Sequence, residues 1–281
     1  MRAIILLFLF NLWLIECENP KKKSDLEKLG FKGKVKSVET IYYYAVEKSG
    51  KITKGDTSTK AFYLFNKQGN LQEKLTDFYY GSQYKTKYVY DSQNNLIQNY
   101  IYDSYGDLDK KIIYKNDNKG NKIEELIYDE NDSLIKKYTY VYDLRGNLKK
   151  EFEYNPQGLK SKKTYKYDLK GNLKKEKFYR SNGELDGKYI YKYDSQGKVI
   201  AKYWFTTKVW LTLKLTYKNT YKYNSQGDLI EEILYKNDGS IENKRSYEYE
   251  YDNQGNWIRA IEYDTKEKPQ YIIIRKIEYY N

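Results

Sequence analysis

The feature that most constrains this chain is a tandem repeat, whose clearest form reads Tyr-x-Tyr-Asp-x-x-Gly-Asn-Leu. The second Tyr position recurs eight times at intervals of 25 to 30 residues, so the repeat covers most of the 281 residues. A repeat of this length predicts one small supersecondary unit per repeat, stacked against its neighbours along the chain. The eight positions are Phe65, Tyr90, Asn116, Tyr142, Tyr167, Tyr193, Tyr223 and Tyr251.

Each repeat predicts a β hairpin. Tyr165 and Tyr167 alternate with a polar residue, as in a half-buried strand, and the segment from Asp168 to Gly171 then supplies turn residues. The Asp carboxylate can accept backbone N–H groups of the turn, and Gly adopts positive φ without a Cβ clash. This pattern favours a type I turn closed by a glycine bulge. A second, looser turn follows 12 residues after each Tyr position, so each unit is predicted to have two strands and two turns.

The predicted fold class is all-β, a long antiparallel meander of tandem hairpins that forms a twisted, curling, largely single-layer sheet. Some sixteen strands about 4.8 Å apart predict a sheet about 75 Å across. With 36 Tyr and 32% charged residues, the chain has too few aliphatic side chains to fill a two-layer sandwich. An open sheet exposes its edges, and the net charge of +12, carried mostly by Lys, is expected to provide solubility and edge protection. No nucleic-acid partner is expected.

Residues 1–16 are predicted to be an export signal, because Met1 and Arg2 precede an apolar run that is too short for an ordinary membrane span. The sole cysteine, Cys17, follows Leu14-Ile15-Glu16, which resembles a bacterial lipobox; Glu16 departs from that pattern, which has a small residue there. Three alternatives are open: lipidation at Cys17 with a lipid anchor in the membrane, plain secretion, or an uncleaved anchor or free cysteine. The predicted location is the bacterial cell envelope, at the outer membrane or surface, or outside the cell.

Residues 17–30 are predicted to be a tether, in which Ser24-Asp25-Leu26-Glu27 has a capping-box sequence that could start one helical turn. Residues 31–281 are predicted to be the β-repeat domain, with the repeats at about residues 60–265. Val35 to Tyr44 and Tyr271 to Tyr280 are predicted to be the capping strands at its two ends, because terminal units commonly depart from a repeat.

The chain contains no His, which excludes His-dependent nucleophile activation and His-containing metal sites. Adjacent carboxylates such as Glu124 and Glu125 point to opposite faces of a strand and cannot share a substrate. No catalytic residues are predicted, and the chain is not expected to be an enzyme. The turn Asp residues could ligate calcium, but turn capping explains them and Lys170 and Lys198 intrude there. No metal site and no cofactor are predicted.

The repeat breaks between Ala201 and Thr220, where the second turn lacks its Gly and the unit gains residues. Departures from a repeat are frequent sites of added function. The predicted ligand-binding residues are Tyr203, Trp204, Phe205 and Trp210, which could stack on sugar rings or anchor a protein partner. The alternative is that Trp204 and Trp210 pack on the sheet as a local core.

The motif at Tyr140 to Leu148, Tyr165 to Leu173 and Tyr221 to Leu229 resembles the YD-repeat, or RHS-repeat, family. With its export signal, the whole chain is similar to small YD-repeat envelope lipoproteins of the Bacteroidetes. The resemblance implies a β-repeat scaffold and a carbohydrate-binding role. Large relatives wrap such repeats into a closed shell around a toxin, for which this chain is expected to have too few units.

The functional prediction is therefore a non-catalytic cell-envelope or secreted β-repeat binding protein that recognises a glycan or a protein partner. The alternative is a structural or toxin-system interaction protein, such as an immunity or shell-like protein. The sequence does not define an oligomeric state.

Overall fold

The computed structural model describes residues 23–78, 83–207 and 213–281. They form one short helix, α1 (Asp25–Lys28), and eighteen β strands. The predicted antiparallel meander is confirmed, because each strand pairs with the next one along the chain. The strands are β1 (Val35–Lys48), β2 (Lys51–Phe65), β3 (Leu71–Phe78), β4 (Gln83–Tyr90), β5 (Leu96–Tyr102), β6 (Leu108–Asn116), β7 (Lys122–Asp129), β8 (Leu134–Tyr142), β9 (Leu148–Asn155), β10 (Gly158–Tyr167), β11 (Leu173–Arg180), β12 (Leu185–Tyr193), β13 (Val199–Thr207), β14 (Leu213–Tyr223), β15 (Leu229–Lys236), β16 (Ile241–Tyr251), β17 (Trp257–Tyr263) and β18 (Pro269–Tyr279).

The prediction of an open sheet is wrong, because the sheet closes on itself. β1 pairs with β2 on one side and with β18 on the other, so the eighteen strands form a β-barrel. The closing register runs from Val35 opposite Tyr279 to Tyr44 opposite Tyr271. Strand twist and the bulge that accompanies most hairpins curl the sheet through a full turn. The eight repeats and the two end strands are therefore enough for closure.

The segments predicted to be separate end caps are each other's partners. Val38 is fully buried. Ile41, whose side chain is on the opposite face of the strand, is only 6% exposed. Ile272 and Ile273, adjacent on β18, are 1% and 5% exposed. Both faces of the sheet are thus buried where β1 meets β18, and burial of apolar side chains favours this pairing. Because the closed sheet has no edge strands, the lysines cannot serve as edge protection.

The predicted turn chemistry is confirmed in the hairpin between β10 and β11. The Oδ1 atom of Asp168 accepts the backbone N–H groups of Lys170 and Asn172 at 2.9 and 2.8 Å. Gly171 has a φ of +87°, a conformation that is strained for other residues. The strand register shifts at Tyr167, as expected for a bulge.

Tyr hydroxyl groups join successive hairpins at the rim that carries these turns. The hydroxyl of Tyr167 donates to the carbonyl oxygen of Leu148 in the preceding hairpin at 2.9 Å. Tyr193 donates in the same way to the carbonyl of Leu173 at 2.7 Å. The second Tyr of the motif therefore links its own unit to the unit before it.

Along each strand, side chains alternate between the two faces of the barrel wall. On one face, side chains from strands two apart meet: the rings of Phe178 on β11 and Trp204 on β13 lie 5.3 Å apart. The hydroxyl oxygens of Tyr189 on β12 and Tyr217 on β14 are 2.6 Å apart. Contacts that bridge an intervening strand form where the sheet is concave, so this face lines the lumen. Its Tyr side chains are half-buried.

Helix α1 lies against the inner face at one rim. Its capping box is present: Ser24 Oγ accepts the N–H of Glu27 at 3.3 Å, and the Glu27 carboxylate accepts the N–H of Ser24 at 2.7 Å. Leu26 packs with Val35, Val38 and Phe65 in a buried apolar cluster. In the part of the chain that the structure describes, no helix has the length and apolar character needed to cross a membrane.

Candidate functional site

The structure separates the residues predicted for ligand binding. Tyr203, Trp204 and Phe205 are consecutive on β13, so their side chains alternate between the two faces. Trp204 points into the lumen, whereas Tyr203 and Phe205 point outward. Trp210 lies outside the described residues, as does Cys17, the predicted lipidation site.

Trp204 packs as part of the inner wall. Its ring lies 4.4 Å from the ring of Tyr189 and 6.4 Å from that of Tyr217. The indole also covers Gly187, where an added Cβ would lie 2.6 Å from Cη2 of Trp204. The indole thus occupies the space that a side chain at position 187 would take. This geometry favours the packing interpretation of Trp204 over direct ligand binding.

The inner wall also carries a series of Tyr–Glu hydrogen bonds. In three successive units, a Tyr hydroxyl donates to a Glu carboxylate on the preceding strand. Burial, and then these carboxylates, raise the pKa values of the Tyr hydroxyls above their ordinary value. The pairs are Tyr140 with Glu125, Tyr165 with Glu151, and Tyr191 with Glu176, each at 3.0 Å.

The outer face of β10 to β14 carries an excess of lysines, which we name the lysine field. Of the two carboxylates in these described strands, Glu176 points inward and Asp186 is paired with Arg180 at 2.7 Å. None of the ion pairs among the described residues involves a member of the field. The lysine field consists of Lys162, Lys166, Lys175, Lys177, Lys188, Lys192 and Lys218.

Like charges face each other directly within the lysine field. Lys166 is opposite Lys175 across β10 and β11, and Lys177 is opposite Lys188 across β11 and β12. Cross-strand pairs of like charge destabilise a sheet. Burial, and then the charges of Lys188 and Lys177, lower the pKa of Lys175. The field is therefore a region of unrelieved positive charge.

Some outer lysines of the barrel that are not part of the field have carboxylate partners. Lys115 and Lys137 both pair with Glu124, at 2.5 and 2.6 Å. Lys222 pairs with Glu231 at 2.8 Å. Among the described residues, the lysines of the field therefore differ from these outer lysines, which include Lys222 at the end of β14, in having no ion pair.

Aromatic rings lie between the lysines of the field. The Nζ atom of Lys162 is 4.3 Å from the ring centroid of Tyr179, and that of Lys188 is 4.8 Å from Phe205. Lys192 approaches the ring of Tyr203 to 5.4 Å. Cation–π contacts at such distances order the lysine chains. Tyr203 and Phe205, two of the predicted ligand residues, therefore belong to the same outer surface as the lysines.

The sequence contained a signal for this surface that the prediction missed. Lys residues occupy alternate positions in consecutive strands, as at Lys175 and Lys177, and alternation places both on one face. In residues 23–78, 83–207 and 213–281, no three Cys, Asp or Glu side chains come together to hold a metal ion. The lysines and aromatic rings of the outer wall offer electrostatic attraction together with aromatic contact.

No protein-family model and no curated protein matches the chain. Among solved structures, it is similar to a porin-like protein from Bacteroides uniformis, with 13% identity and a TM-score of 0.45 over 87% of this chain and 96% of that one. It is also similar to the Tc holotoxin pore of Photorhabdus luminescens, with 16% identity and a TM-score of 0.37 over 84% of this chain. This chain spans only 14% of that Tc chain. At these TM-scores, neither similarity supports an inference about function.

Proposed function

We propose that the protein is a non-catalytic binding protein of the cell envelope, or a secreted one, whose outer wall recognises an acidic glycan. The observation that carries this proposal is the lysine field, in which seven lysines on β10, β11, β12 and β14 have no carboxylate partner among the described residues. A polyanion along the wall would relieve their mutual repulsion. Alternate strands lie about 10 Å apart, so the field presents parallel rows of charge.

An acidic glycan fits this surface better than a nucleic acid does. The field contains Lys and no Arg, and Lys acts as a point charge without the planar fork that favours phosphate. Tyr203 and Phe205 add apolar faces on which sugar rings can stack. The predicted export signal and lipidation at Cys17 would place the wall outside the cytoplasm, where acidic polysaccharides occur. The resemblance to YD-repeat proteins also implies carbohydrate binding.

The test is titration of the protein with polygalacturonate, with dextran as the neutral polysaccharide. We expect binding of polygalacturonate only, with an affinity that falls as the salt concentration rises. The double substitution Lys175→Gln and Lys188→Gln is expected to weaken binding about tenfold or more, because each lysine near an anionic surface contributes about 1 kcal/mol.

The matched control is Lys115→Gln with Lys137→Gln, which removes two outer lysines that already have a carboxylate partner. This variant should retain most of the affinity. Equal loss in the two variants would mean that net charge alone determines binding. Tighter binding of duplex DNA than of polygalacturonate would contradict the glycan assignment.

A second candidate is the structural or toxin-system interaction protein, and closure of the sheet is the observation that favours it. The barrel encloses a lumen lined by Tyr hydroxyls and Glu carboxylates, which could hold a polypeptide segment. Chemical cross-linking in a cell extract distinguishes the candidates. A partner joined to the inward Lys163 or Lys202 would favour enclosure, whereas cross-links confined to the lysine field would favour the outer wall.

A further inference from the structure

A cavity of about 250 Å³ lies at the rim that carries the Asp-x-x-Gly turns. It is on the inner side of the barrel wall, whereas the lysine field is on the outer side. The segment that follows α1 forms one side of it, and the turns before β13, β15 and β17 form the other. Its charged lining residues are Lys32, Lys198, Asp228 and Arg275. Three cations and one carboxylate leave the cavity with an excess of positive charge.

Arg275 is stacked between two aromatic rings. Its guanidinium carbon lies 3.3 Å from the ring centroid of Trp257 and 5.0 Å from that of Phe31. Trp257 occupies the position that is Leu in the clearest repeats, so the stack is specific to this end of the barrel. Stacking fixes the plane of the guanidinium and orders it.

One N–H group of the Arg275 guanidinium lacks a protein acceptor among the described residues. The buried Nε atom has no hydrogen-bond partner, and no ion pair among the described residues involves this guanidinium. Stacking occupies the faces of the group, whereas its five N–H donors point outward in its plane. Burial lowers the pKa of Arg275 to about 10, which reflects the cost of holding the charge away from water. A structural cation–π role leaves these donors unexplained.

Two lysines converge on the same cavity over glycines of the turns. An added Cβ at Gly227 would lie 2.5 Å from Nζ of Lys198, and one at Gly255 would lie 3.2 Å from Nζ of Lys32. The two ammonium groups therefore lie directly over these glycines. Lys32 Nζ also donates to the carbonyl of Gly255 at 3.0 Å, which fixes its position.

The lining carboxylate, Asp228, attracts Arg275 electrostatically but is already engaged in a hydrogen bond. The Oδ2 atom of Asp228 accepts the hydroxyl of Tyr251 at 2.9 Å, and Asp228 forms no ion pair among the described residues. Asn256 is likewise committed, because its side chain bonds Lys32 and Tyr279. Among the described residues, the buried side-chain atom of the site without a hydrogen-bond partner is thus a cationic donor, the Nε of Arg275.

We propose that this rim cavity is a binding site for a small organic oxyanion, a carboxylate or a phosphate ester, held by the edge of Arg275 between Lys32 and Lys198. A planar guanidinium edge binds either group through two parallel N–H bonds, and flanking ammonium groups supply further charge. A volume of about 250 Å³ corresponds to roughly eight water molecules, which suits a ligand no larger than a monosaccharide acid or phosphate. This site is separate from the lysine field and does not depend on the proposed function.

The experiment is titration of the full protein with inorganic phosphate, galacturonate and neutral galactose, followed by tryptophan fluorescence and by calorimetry. We expect saturable binding of phosphate or galacturonate and none of galactose, with a change in fluorescence because Trp257 stacks on Arg275. Tighter binding of galacturonate would assign the site to carboxylates, and tighter binding of phosphate to phosphate esters.

The variants separate this site from other positive surfaces. Arg275→Gln should abolish binding without unfolding the protein, since it removes an unpaired charge, and Arg275→Lys should weaken binding about tenfold because the planar fork is lost. Trp257→Phe should lose the fluorescence signal and bind more weakly by calorimetry, because the smaller ring orders Arg275 less well. The Lys175→Gln and Lys188→Gln variant should bind these small anions normally. Failure of the wild-type protein to bind either anion, or equal binding by Arg275→Gln, would overturn the proposal.

Discussion

The barrel has two regions that are built differently from one type of hairpin. The seam, formed by α1, β1, β2, β17 and β18, contains fully or almost fully buried side chains such as Phe65, Val38 and Ile272. The arc of β10 to β14 has half-buried aromatic residues inside and the lysine field outside. The seam relies on apolar burial, whereas the arc relies on Tyr hydrogen bonds, ring contacts and strand pairing.

This difference shows how closure and recognition are divided within the molecule. Burial of large apolar side chains contributes about 1.5–3 kcal/mol each, so the seam can hold the ends of the sheet together. In the arc, many cross-strand side-chain pairs each stabilise the sheet by a smaller amount, about 0.2–1 kcal/mol. Because the arc does not close the barrel, its outer face can carry an unfavourable cluster of charge.

The largest expected effect is that of alkaline pH. Burial raises the pKa of Tyr142 and Tyr221 to about 12, and burial together with Glu125 raises that of Tyr140 further. Unfolded Tyr releases its proton near pH 10, whereas the folded protein retains it, so stability is full below pH 10 and falls as the pH rises above it. Thermal unfolding followed by circular dichroism should show this decline.

Limited proteolysis at alkaline pH sharpens the comparison between the two regions. Cleavage should begin in the arc and reach the seam between β1 and β18 later, because the seam also has fully buried apolar side chains such as Val38 and Ile272. Simultaneous cleavage of both regions, or a melting temperature that is constant up to about pH 11, would contradict this division.

The next largest effect is expected from truncation of the same residue type in each region. Phe65 is fully buried against Leu26, Val35 and Val38, so Phe65→Ala should lower the free energy of unfolding by about 3–5 kcal/mol. Phe178, on the inner face of the arc, is only half-buried, and Phe178→Ala should cost distinctly less. Urea unfolding measures both values. Equal losses would show that the arc is packed as tightly as the seam.

A smaller effect is expected at a tight point of the arc, Gly187. A Cβ at Gly187 would lie 2.6 Å from the carbonyl oxygen of Phe205 and from the Trp204 ring. Gly187→Ala should therefore lower the free energy of unfolding by about 1–3 kcal/mol and alter Trp204 fluorescence. Thr164→Ala, on the outer face of β10, is the control and should change neither. An unchanged unfolding midpoint for Gly187→Ala would show that Trp204 moves aside without cost.

The hairpins were predictable from the sequence because their determinants are local. Asp168 and Gly171 lie within one turn and encode its geometry directly. Closure was not predictable, because it depends on pairing between β1 and β18, whose contacts join residues as far apart as Ser37 and Glu278. Neither strand carries a repeat motif that identifies its partner. Their apolar composition indicated strands, but not that the two strands meet.

The candidate surfaces were predictable only in part. Tyr203 and Phe205 were identified from the break in the repeat, but grouping them with Trp204 neglected the alternation of side chains along a strand. The lysine field follows from the same alternation once the register of five strands is known. The Arg275 cavity could not be anticipated, because it requires the segment that follows α1 and three separate turns to meet at one rim.

Closure also restricts how a protein of this kind can change in length. In an antiparallel meander, the first and last strands run in opposite directions only when the number of strands is even, and here that number is eighteen. Gain or loss of one strand would make the two ends parallel and abolish the present register. Gain or loss of a whole two-strand unit preserves it and changes the circumference by about 10 Å. The width of the barrel can therefore change only in steps of one complete repeat.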